Sequence, residues 1–81
     1  MPRDHDVSVL PTSLQRIDAR IADGESLIAR QRLAIVRRAI RGMDIQEART
    51  LLRVLCSVVE NHKRVRERLI ALETHRADSH F

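Results

Sequence analysis

The chain has no tryptophan, no tyrosine and a single phenylalanine, Phe81, at its C-terminus. Sandwiches and barrels lean on β-branched and aromatic strands, so this shortage argues against an all-β fold. Cysteine occurs once, at Cys56, which excludes a disulfide framework within the chain. Two glycines and two prolines are too few to punctuate many short elements. No apolar run approaches the roughly 20 residues that a membrane-spanning helix needs. The opening Met1 to Pro11 has no long apolar core of the kind that marks a signal peptide. A cytoplasmic location is the expectation.

Arginine, alanine, leucine and isoleucine dominate what remains, a composition that suits helix. With 81 residues the chain has room for one domain, and the fold expected is all-α. The clearest pattern lies between Ala48 and Leu72. Ala48, Leu55, His62 and Leu69 recur every seven residues, and so do Leu51, Val58, Val65 and Leu72. Interleaved, they step by three and four, the seam of a helix packed along its length. Earlier, Leu14, Ile21, Ile28 and Ile35 form a matching series, with Ile17, Gly24, Gln31 and Arg38 between them.

The ends of these two segments are signalled locally. Thr12 and Gln15 fit a capping box, so the first helix is expected over about 13–41. Gly42 suits the left-handed residue that ends it. Asp44, with Glu47 three residues on, suits the cap of a second helix over about 45–74. A turn at 42–44 makes the helices antiparallel neighbours. Residues 1–11 read as a flexible tail and 76–81 as a frayed end. A turn centred on Met43 pairs Gly24 with His62, and the imidazole is expected to fill the space that the glycine leaves. Gly24, Gly42, Asp44 and His62 are thus the structural residues.

A single hairpin buries one stripe per helix, and the sequence has apolar residues to spare. Ile45, Leu52, Cys56 and Val59 form a second stripe on the second helix. Leu27, Leu33, Val36 and Ile40 are read as its counterpart on the first. These eight are the expected dimer interface, closing a two-fold symmetric four-helix bundle.

The pattern Ile21-Ala22-x-Gly24-Glu25, Ile28-Ala29-x-Gln31-Arg32, Glu47-Ala48-x-x-Leu51-Leu52 and His62-x-x-x-Arg66-Glu67-Arg68-Leu69 resembles a group of short bacterial helical-hairpin proteins. That resemblance spans residues 21–69. It implies a shared hairpin and no activity, since none is assigned to the group. Met43 stands in the turn where histidine is more usual.

Fourteen of the fifteen basic residues are arginine, and the formal net charge is +4. Seven arginines fall between residues 30 and 53 against Asp44 and Glu47, a local excess of five positive charges. Arg30, Arg37, Arg38, Arg41, Arg49 and Arg53 are therefore candidates for binding an anion or an acidic partner. Without aromatics to stack on bases, nucleic-acid contact would be through phosphates and blind to sequence. His5, His75 and His80 do not form a metal-ligand spacing, and Cys56 has no histidine beside it in sequence. No metal or other cofactor is expected. The start Leu14-x-x-Ile17-Asp18 is slightly similar to small helical chorismate mutases, but the following spacing departs from theirs and Lys63 is the only lysine. The expectation is a non-catalytic homodimeric adaptor or regulator that meets an unknown protein partner through helix faces. Non-specific nucleic-acid binding through the arginine-rich turn half is the alternative.

Overall fold

A computed structural model describes residues 12–78; the expectations for the tail at 1–11 and for 79–81 lie outside the described residues. Two helices make up the fold: α1, Ser13–Ile40, and α2, Gln46–Asp78. They pack against each other along their length as an antiparallel hairpin. Among the described residues there is no strand, and no helix is long and apolar enough to cross a membrane.

The helix ends follow from local chemistry. Thr12 Oγ1 accepts from the Gln15 amide at 3.1 Å, and Gln15 Oε1 accepts from the Thr12 amide at 2.8 Å. This reciprocal pair satisfies two amides that the first turn leaves without helical partners. At the other end Gly42 has φ +74°. The Gly42 amide donates to the Ala39 carbonyl at 3.0 Å, and the Met43 amide to the Arg38 carbonyl at 2.9 Å. These two bonds form a Schellman motif, which needs a left-handed residue at this point. Asp44 Oδ1 then accepts from the Gln46 amide at 3.0 Å. α2 continues to Asp78, four residues past the expected end, and Ile45 precedes it in the connection.

The α1 seam is the one read from sequence. Ile17 and Ile28 are buried, and Leu14, Ile21, Gly24, Gln31 and Ile35 are half-buried. The exception is Arg38, which is exposed.

On α2 half of the expected seam changes places. Ala48 is buried, and Leu55, His62 and Leu69 are half-buried, as the heptad spacing implies. Leu51, Val58 and Leu72 are exposed, while Ile45, Leu52, Val59 and Arg66 turn inward instead. Val59 is 3% exposed. The register moves with them: Val59, not His62, faces Gly24. The shift is three residues of α2, on the order of 4.5 Å at about 1.5 Å per residue.

The physical reason is that α2 carries three parallel heptad rows, and α1 can take only two. The pair adopted places Val59 on the bare α-carbon of Gly24. It lets Gln31 Nε2 donate to the Ala48 carbonyl at 2.9 Å. It also brings Arg66 against Asp18 and Lys63 within 3.4 Å of Glu25.

Candidate functional site

Flanking the seam are two faces of the hairpin. On one, Glu25, Ile28 and Arg32 of α1 meet Cys56, Glu60 and Lys63 of α2 around an open groove of about 380 Å³. Lys63 bridges Glu25 and Glu60, at 3.4 and 3.9 Å, so the charges in the groove are largely mutual. Cys56 lines this groove and is half-buried. Ile45, Leu52, Cys56 and Val59 therefore do not form an outward interface. They belong to the inner side of the hairpin or to its groove.

The opposite face is different. At the open end it gathers Ser13, Arg16 and Arg20 of α1 with Val65 and Leu69 of α2. Helical periodicity continues it along α1 through Leu27 and Ala34, and along α2 through Leu51, Val54 and Val58. Leu27, Val54 and Val58 are 45%, 52% and 45% exposed, and Leu51 is comparably so. The row on α2 steps by three and four from Leu51 to Leu72, like the inner seam; Val65 is half-buried beside α1, but Leu51, Val54, Val58 and Leu72 are left exposed. Leu27 does not share a face with Leu33, Val36 and Ile40. Six residues separate Leu27 from Leu33, which places them roughly a third of a turn apart at 3.6 residues per turn. Leu33, Val36 and Ile40 form their own exposed row toward the turn.

All six candidate arginines, Arg30, Arg37, Arg38, Arg41, Arg49 and Arg53, are exposed. Among the described residues none of them is in an ion pair. Arg49 and Arg53 lie side by side with Gln46 at the start of α2, and Arg53 donates to Thr50 Oγ1 at 3.2 Å. Arg37 and Arg38 occupy the last turn of α1, where positive charge complements the helix dipole. The arginines thus surround the turn without converging on one pocket.

His62 is half-buried in the seam, and its Nδ1 has no hydrogen-bond partner among the described residues. It faces the Ile21 turn of α1 rather than Gly24. Among the described residues no group of three or more His, Cys, Asp or Glu is placed to hold a metal ion. Sequence reasoning missed Gln31, Asp18 and Arg66 as register-setting residues. The signal available was their polarity at or beside seam positions, which becomes meaningful only once the register is known.

No protein-family model matches the chain, and no match to it was found among curated proteins or solved structures. The fold and the faces described above rest on the chain's own geometry.

Proposed function

We propose that this chain is a small non-catalytic cytoplasmic protein that self-associates through a helix face and acts as an adaptor or regulator by protein contact. The observation that carries this reading is the exposed row Leu51, Val54, Val58 and Leu72, with Leu27 beside it. On the order of 400 Å² of apolar side chain lies open there, within the range in which a patch on a soluble protein is often functional. Light scattering coupled to gel filtration tests the first part, with an expected mass of at least twice the 9.3 kDa of one chain. Affinity capture from the source cells tests the second. A polypeptide retained by the wild type and lost with Val36→Asp/Ile40→Asp supports the adaptor role. Recovery of nothing but the chain itself removes it.

A second reading is favoured by the six exposed arginines around the turn, none of them in an ion pair among the described residues. They suit contact with a polyanion such as a nucleic-acid backbone. Its test is the salt dependence argued in the Discussion.

A further inference from the structure

We infer that the outer row of α2 is the self-association surface, that its occupant is α2 of a second copy running antiparallel, and that the two-fold axis passes beside Asn61. This rests on the self-association proposed above and specifies how it is built.

The first argument is symmetry in the sequence of the row itself. From Asn61 the row runs back to Val58, Val54 and Leu51, three, seven and ten residues away. Forward it runs to Val65, Arg68 and Leu72, four, seven and eleven residues away. Reversed and laid on itself, the row sets Leu51 against Leu72 of the second copy and Val58 against Val65. Asn61 meets its own counterpart at the centre. A two-fold interface requires this kind of self-complementarity, because each copy offers the same patch.

Charge selects the direction. In a parallel pair Arg68 would meet its own copy, and like charges directly opposed are unfavourable. The antiparallel pair sets Arg68 against Val54, over which its aliphatic stem can lie. Antiparallel helices also oppose their dipoles favourably.

The first helix supplies an independent check. Because Val59 faces Gly24, the level of Asn61 corresponds to residue 22 of α1. On the same face at that level, Arg20 and Asp23 stand either side of it. Both are exposed, and among the described residues neither is in an ion pair. An axis through this level brings Arg20 of each copy to Asp23 of the other. The axis set by the apolar row of α2 and the axis set by the charges of α1 thus coincide.

Asn61 then has a defined role. A carboxamide offers both donor and acceptor, so two of them across an axis can satisfy each other. An asparagine at the centre of a largely apolar row fixes register and orientation at some loss of stability.

The test uses the full chain. In a Cys56→Ser background, Asn61→Cys places one thiol per chain at the axis. Mild oxidation is expected to convert most of the chain to a covalent pair on a non-reducing gel, while Cys56→Ser alone forms none. Arg20→Asp is expected to weaken the dimer about tenfold, and Arg20→Asp/Asp23→Arg to recover most of that. Circular dichroism confirms that each variant keeps its helix content. A dimer that neither cross-links at position 61 nor responds to the charge swap overturns this pairing and leaves self-association standing. A monomer at tens of micromolar overturns both.

Discussion

Val59 of α2 lies directly over Gly24 of α1, and a Cβ at position 24 would clash with its Cγ2 methyl. Glycine costs about 1 kcal/mol against alanine in a helix interior, so its presence needs a compensating contact. The close approach of Val59 is that contact. Val59 is β-branched and 3% exposed, so it has little freedom to move aside.

Gly24→Ala is therefore expected to destabilise the hairpin by about 1–3 kcal/mol, through overpacking that outweighs the gain in helix propensity. Val59→Ala alone is expected to cost about 1.5–3 kcal/mol for lost burial and a cavity. In the double variant the new methyl at 24 enters the space vacated at 59. The coupling is expected to exceed about 1 kcal/mol in the favourable direction. Urea titration of the four proteins measures it, and additive effects would mean that the two residues do not meet.

The two helices, the caps of α1 and the seam of α1 were legible before the structure because each depends on neighbours in sequence; at α2 Asp44 accepts from the Gln46 amide, but the expected reciprocal bond from Glu47 is not formed among the described residues. The Thr12–Gln15 box and the Gly42 ending are settled within one or two turns of chain. The α2 seam was only half legible. Its rows 45/52/59/66, 48/55/62/69 and 51/58/65/72 share one spacing, and periodicity cannot rank the outer two. The 51/58/65/72 row is the more apolar, so it looks like the core, yet Leu51, Val58 and Leu72 stay outside. What decides is contact across the hairpin: the notch at Gly24, the reach of Gln31 and the carboxylate of Asp18. Leu52 and Val59 were expected on an outer stripe for the same reason, because the wrong row was spent on the hairpin; they turn inward. The arginine cluster was legible as composition, whereas its scatter around the turn required coordinates.

Gln31 holds the register from the other helix by donating to the Ala48 carbonyl at 2.9 Å in a half-buried setting. Gln31→Glu keeps the shape and removes the donor, so at neutral pH a carboxylate faces a carbonyl oxygen. The expected loss is about 1–3 kcal/mol. The variant carboxyl is driven upward from its ordinary value near 4.3, since only its protonated form can donate. The sign follows. The penalty is fully present above the raised folded value, shrinks as pH falls through it, and has gone below the unfolded value. The difference in stability between variant and wild type, measured at matched pH between 7 and 3.5, should therefore close toward acid. A difference that stays constant would mean that the amide donates nothing to α2.

Gly42 tests the turn rather than the seam. Among the described residues nothing lies within 4 Å of where its Cβ would be, so space is not at issue; the backbone is, at φ +74°. Gly42→Ala is expected to cost about 1–2 kcal/mol, the strain of a left-handed alanine. Gly42→Asn should cost less, because asparagine tolerates that region better. Thermal denaturation of both variants checks the order. Equal losses would point to the side chain rather than to the backbone angle.

The arginines around the turn can be tested without knowing a partner. If about five of them contact phosphates, affinity for a duplex should fall by between two and three decades for a fourfold rise in salt, from a slope of roughly −0.9 per contact. Replacing Arg37 and Arg41 by glutamine should lower the magnitude of that slope by about 2 and weaken every sequence alike, because backbone contacts carry no sequence information. The two arginines are exposed and in no ion pair among the described residues, so the fold should not change. Fluorescence anisotropy with duplex and single-stranded probes, at 25 and 100 mM salt, reads both quantities. Absence of binding at the lower concentration would leave these side chains as a solvated surface and remove the polyanion reading, while the outer row of α2 would keep its own test.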